Sequence, residues 1–251
     1  MSNAKDIQIA DKPLRILPYG PAGSGKTTFA ATSGLKTYFF DFDNGMKTLR
    51  GKDVEYDTFM DEDLMNPSAY ARFEVKLIAL LQNPASFPAE VIVIDSMTTL
   101  QETLLRQIQK SNNSLGKQTS LQEYGIFADK FVDLMSRILA VKKHLIFTAH
   151  EQLLVDEQTQ EILRVPAVVG KKLAPRVPLW FDEVYHLEPD VVQEKMTVKF
   201  RTRASSRMIA KSRIGVLKAV EEGLTIAEIL RRVKETVVGA PASPVAGAVQ
   251  A

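Results

Sequence analysis

The octapeptide Gly20-Pro-Ala-Gly-Ser-Gly-Lys-Thr27 limits what this chain can fold into more than any other feature. It follows a short apolar run, Leu14 to Tyr19, and leads into a helical pattern that starts at Lys26. An apolar run closed by a glycine turn reads as a buried strand, so the local order is strand, loop, helix. Pro18 has no N–H for a central ladder, and pairing is expected to end or bulge there. Glycines allow a bend that aims successive backbone N–H groups into one concavity, which suits phosphate oxygens. The expected cradle is Gly20, Pro21, Ala22, Gly23, Ser24, Gly25, Lys26, Thr27 and Thr28. Lys26 is expected to reach the β- and γ-phosphates of a nucleotide, and the Thr27 hydroxyl to ligate Mg²⁺.

The rest of the chain repeats strand and helix. Thr37 to Asp41, Val91 to Ile94 and Leu145 to Ala149 are further buried strands. Helical spacing covers about 67–82, 97–110 and 121–141, and the Ser/Asn/Gly-rich stretch Ser111 to Thr119 is expected to be a mobile loop. Beyond His150 come shorter segments, at 153–155, 162–165, 183–187 and 196–202, expected as antiparallel additions, followed by a helix over about 225–236. The expected fold class is α/β: a mostly parallel central sheet flanked by helices, with antiparallel strands added at the C-terminal side. Residues 1–13 form an N-terminal extension and 14–237 one core. Residues 238–251, rich in Gly, Ala, Pro and Val, form an expected disordered tail.

Composition narrows the chemistry. There is no cysteine, so disulfides, thiolate metal sites and cysteine nucleophiles are excluded. No apolar run reaches the roughly 18 residues of a membrane span, and the N-terminus lacks a secretory signal pattern; a cytoplasmic location is expected. The net charge of +2 conceals a stretch, Lys195 to Lys218, with eight Lys or Arg and no Asp or Glu. Such a run suits phosphates, of a nucleotide or of a nucleic-acid backbone, or it is one solvated strand face.

Three polar groups fall at carboxyl ends of expected parallel strands, where ligands bind in open α/β sheets. Asp95 ends the Val91 strand, where a Mg²⁺ bridging two phosphates needs an anion; its other reading is a helix cap. Asp43 follows the Thr37 strand and is otherwise a turn residue before Asn44-Gly45. His150 ends the Leu145 strand and is otherwise a plain strand-end histidine.

Together these residues resemble the RecA-like recombinase ATPases. More narrowly, over about Arg15 to Leu217, the chain resembles the compact phage RecA-like ATPases associated with single-strand annealing, which are phage nucleotide-binding AAA-type proteins. The resemblance implies ATP and Mg²⁺ as cofactors, with Asp43 polarising the attacking water and His150 reporting the γ-phosphate. Asp43 stands where that family usually has Glu, and His150 where it usually has Gln. The segment Ile209 to Gly215 carries Lys211 and Arg213, implied to act on the ATP of a neighbouring subunit; their other reading is surface charge. The loops after the Asp95 and His150 strands would line a path for single-stranded DNA, using Lys117, Arg164, Lys171, Lys172 and Arg176. Implied partners are single-stranded DNA, a single-strand-binding protein and further copies of the chain in a ring or filament. The alternative is a P-loop regulatory or motor NTPase acting on a protein without binding DNA. A small-molecule phosphotransferase is disfavoured, as no lid-like Arg cluster is evident.

Overall fold

The computed structural model describes residues 12–85, 87–155, 160–170, 173–174, 176–192 and 195–238. The central strands are the apolar ones. β1 (Arg15–Gly20), β2 (Thr37–Asp41), β4 (Val91–Asp95) and β5 (His144–Phe147) are buried almost throughout. Period-two alternation sends Phe39 to one face of the sheet and Phe40 to the other, and both are fully buried. A strand covered on both faces needs apolar residues at every position, which is why these runs are continuous.

β3 (Glu55–Thr58) closes one edge, parallel to β2, and was not expected from the sequence. β6 (Ala149–Val155) and β7 (Ile162–Pro166) form the expected antiparallel hairpin. β8 (Glu183–Val192) corrects the sequence reading, because it runs parallel to β1 and is longer than expected. Beyond the β6–β7 hairpin, the antiparallel additions come after β8: β9 (Lys195–Arg201) and β10 (Lys211–Ser212) pair with β8, and β11 (Val220–Glu222) pairs with β9. The order is β11-β9-β8-β1-β5-β4-β2-β3. The mostly parallel α/β sheet with antiparallel C-terminal strands is therefore as expected.

Helices cover both faces. α2 (Ala69–Gln82), α3 (Met97–Ser111) and α4 (Leu121–Leu139) bury Phe73, Leu104 and Phe131 against one face. α1 (Lys26–Ala30), the 3-10 turn Met46–Leu49 and α5 (Ile226–Val238) bury Phe29, Met46 and Ile229 against the other. The Ser111 to Thr119 loop is laced to α4 rather than hanging free: Asn112 and Ser114 donate to Glu123, and Gln109 donates to Thr119.

At the centre, β1 keeps one register with β5 and then β6, pairing Arg15 with Leu145, Ile16 with Ile146, Tyr19 with Ala149 and Gly20 with His150. The ladder skips Leu17 and Pro18, which is the interruption the proline requires, while β8 pairs across all four residues Ile16 to Tyr19. Among the described residues no helix is long and apolar enough to cross a membrane. Of the expected tail 238–251, Val238 is the last residue of α5 and 239–251 lie outside the described residues.

Candidate nucleotide site

The loop springs from the carboxyl end of β1. A side chain at Gly20 would put its Cβ 2.6 Å from the Leu187 carbonyl oxygen, so the loop's first position admits only glycine. Gly25, with φ 83°, occupies the left-handed region and turns the chain into α1. Ala22, Gly23 and Thr28 are exposed, while Ser24 and Lys26 are buried. α1 has only five residues, shorter than the sequence suggests, so the cradle rests on loop amides more than on a long helix dipole.

Lys26 lies folded over its own loop. Its Nζ donates to Gly20 O at 3.0 Å, Pro21 O at 2.6 Å and Ser24 Oγ at 3.3 Å. Burial draws the ammonium below the ordinary lysine range, against the opposing pull of Asp95, Asp43 and Glu151. A partly desolvated cation on neutral acceptors gains most from an arriving anion.

Beside it, Thr27 Oγ1 donates to Asp95 Oδ2 at 2.8 Å, and Thr148 holds the other carboxylate oxygen. Burial pushes the Asp95 carboxyl up despite these two hydrogen bonds, and Asp43 and Asp41 add to the rise. Asp41, in register with Asp95 on the adjacent strand, is also raised by burial; it accepts from Gly45 N and Thr58 Oγ1. The Lys26 ammonium thus feels three carboxylates: Asp95, Asp43 and Glu151.

These residues fit a hard divalent cation: Thr27 and Asp95 already touch, and both offer oxygen. Among the described residues no group of three or more His, Asp or Glu side chains stands ready to hold a metal. A Mg²⁺ here would take its remaining ligands from phosphate oxygens and water, and would offset the phosphate charge. The Asp95-Ser96 peptide is cis.

The structure brings Asp43 and His150 together: His150 Nε2 lies 3.2 Å from Asp43 Oδ2. Ser96 Oγ donates to Asp43 Oδ1 at 3.1 Å and Thr99 Oγ1 donates to the same oxygen. Burial alone would raise this carboxyl, but the bonds from His150, Thr99 and Ser96 outweigh it and hold Asp43 below the usual carboxylate range. Asp43 is thus an ionised carboxylate held in one orientation by Ser96, Thr99 and His150. Thr99 and Thr148 were missed as site residues, while Asp41 and Ser96 were read only as strand-end residues facing the γ-phosphate, with no role of their own. Ser96 and Thr99 sit at i and i+3 in the first turn after Asp95, a spacing readable in the sequence but equally that of an ordinary cap, which Ser96 also provides by accepting from Thr99 N.

Other expected residues stand elsewhere. Lys211 and Arg213 lie by the start of β8, two strands from the loop's own strand and at the opposite end from the loop. They do not reach this chain's phosphate cradle. Lys211 donates to Pro178 O, with burial and Arg213 lowering its ammonium; Arg213 faces Asp182 at 3.6 Å.

Arg164 lies in β7, and its carbonyl accepts from Tyr19 OH. Lys117 is in the α3–α4 turn and Arg176 precedes the 3-10 turn Val177–Trp180. Lys171 and Lys172 fall outside the described residues. Part of the basic stretch is matched by acids: Lys199 meets Asp190 at 3.1 Å and Arg201 meets Glu188 at 2.8 Å across the β8–β9 hairpin. Its single-sign sequence is one side of a mixed-charge ribbon.

A family model described as AAA_24, AAA domain, matches residues 12–214. No match to a curated protein was found. Among solved structures, the chain is similar to a KaiC-like protein from the hyperthermophilic archaeon Pyrococcus horikoshii OT3. The two are 14% identical, with 74% of this chain and 76% of that chain covered and a TM-score of 0.42.

Proposed function

The chain belongs to the AAA_24 family of AAA domains, the P-loop ATPases, and on that footing we propose that it is a RecA-like, Mg²⁺-dependent ATPase that binds single-stranded DNA and promotes annealing or recombination. The observation that carries the reading is the Asp43–His150 contact at 3.2 Å. It joins the residue suited to orienting water to the start of β6, in the β6–β7 hairpin that also holds Arg164. A γ-phosphate entering the loop competes with Asp43 for the His150 ring nitrogen, so nucleotide state is passed to the hairpin. Arg164, Arg176, Lys117, Lys171 and Lys172 supply cations for a phosphate backbone, a contact largely indifferent to sequence. Lys211 and Arg213, remote from their own loop, act on ATP held by a second copy in a cytoplasmic ring or filament. Phage origin of the annealing type is part of the same reading, as is cooperation with a single-strand-binding protein.

A second reading is a regulatory or motor ATPase that acts on a protein partner. The pairing of Lys199 and Arg201 with Asp190 and Glu188 favours it, because those cations are already engaged. Filter binding of a labelled single-stranded oligonucleotide, with and without a non-hydrolysable ATP analogue over a salt series, decides between them. The DNA reading predicts retention at low salt that rises with the analogue and falls steeply as salt increases. No retention at low salt removes that reading and leaves the protein-partner one.

A further inference from the structure

His186 is the one buried histidine beside the loop among the described residues, and neither ATP binding nor hydrolysis as set out above uses it. Its side chain is 3% exposed; Nε2 lies 2.9 Å from Glu151 Oε2, and Nδ1 lies 3.5 Å from Glu188 Oε1 without forming a hydrogen bond. Arg201 Nε occupies the other Glu188 oxygen at 2.8 Å. The ring packs on Tyr19, with centroids 5.0 Å apart.

Register places this pair against the root of the loop. Tyr19 is opposite His186 on β8, and Gly20 is opposite His150, the residue before Glu151, on β6. Lys26 Nζ rests on the Gly20 carbonyl. The Glu151 charge is felt at Lys26, along with those of Asp95 and Asp43. Glu151 is thus a third carboxylate able to compete with phosphate for the ammonium, and its side chain is only 22% exposed, so water screens it weakly.

We propose that His186 is a positioning residue of the phosphate site, whose hydrogen bond holds the Glu151 carboxylate aside and leaves Lys26 free for the nucleotide. This rests on the reading of Gly20–Thr27 as an ATP cradle. Sequence alone gives no sign of it: the partners are 35 residues apart and meet only across the end of β1.

The test is Mg-ATP affinity by calorimetry and steady-state kcat, on wild type and on His186→Phe, each with and without Glu151→Gln. His186→Phe is expected to weaken Kd about tenfold in the wild-type background and by no more than about twofold in the Glu151→Gln background. His186→Gln, which keeps a donor, is expected to restore most of the affinity. Kd moves while kcat at saturation holds, because the lysine is hindered only until phosphate displaces the carboxylate.

Equal losses in both backgrounds, or a His186→Gln protein as weak as His186→Phe, overturn the proposal, since a merely structural histidine behaves so. If His186→Phe does not fold, as judged by thermal melting, His186→Asn takes its place; its amide is too short to reach Glu151. Wild-type protein that binds no Mg-ATP defeats the reading of the cradle itself, whereas wild-type binding with unmoved variants defeats only the role of His186.

Discussion

Asp95 illustrates a tension between what the folded chain prefers and what the site needs. Its carboxyl is raised by burial, so the folded protein holds that proton to higher pH than the unfolded chain does. Stability from this group is present below the unfolded carboxylate value and declines as pH rises through the raised folded value. Asp41 has the same sign. Asp43 has the opposite sign: its contribution is present above the ordinary carboxylate range and is lost only as pH falls through its depressed value. Asp95→Asn is therefore expected to raise the thermal midpoint of the nucleotide-free protein at neutral pH. The gain should vanish below about pH 4, where both forms are neutral. Thermal melts at the two pH values, with and without Mg-ATP, check this. Mg-ATP should shift the wild-type midpoint and leave the Asp95→Asn midpoint unmoved.

At the scale of elements, legibility in the sequence followed burial. β1, β2 and β4 are covered on both faces and announce themselves as continuous apolar runs, and the loop between β1 and α1 is fixed by glycine chemistry. β3 is Glu-Tyr-Asp-Thr on an exposed edge, with no apolar signal to read. β8 was expected to stop at 187, yet Glu188, Pro189 and Asp190 pair with Lys199, Val198 and Thr197 although they carry no apolar strand signal. Its parallel direction was hidden because strand composition carries no sign of direction.

In the site, Lys26 and Thr27 were legible from the spacing of the loop, and Asp95 from its place at the end of a buried strand. The Asp43–His150 contact was not, since 107 residues separate them and only sheet order unites them. α4 was legible at its start. Ser120 accepts from Glu123 N while Glu123 accepts from Ser120 N, a reciprocal cap. Ser120→Ala is expected to cost about 1 kcal/mol of unfolding free energy. Urea titration measures it, and an unchanged midpoint contradicts the capping account.

For the whole molecule, the decisive fact is that the two basic residues implied to stabilise charge on a nucleotide lie at the end of the sheet opposite their own phosphate loop. On the proposed reading, Lys211 and Arg213 serve the nucleotide of another copy rather than their own. Lys26→Ala and Arg213→Ala proteins should each be nearly inactive, and mixing them should recover part of the hydrolysis through interfaces that join an intact loop to an intact arginine. A mixture as inactive as its components contradicts catalysis between copies.

The most direct test of the phosphate cradle is calorimetric titration of Mg-ATP into folded wild-type and Lys26→Ala protein. A saturable heat from the wild type, with affinity weakened about tenfold to a hundredfold by loss of the ammonium, is the predicted result. No heat from folded wild-type protein, or indistinguishable titrations of the two, would contradict it.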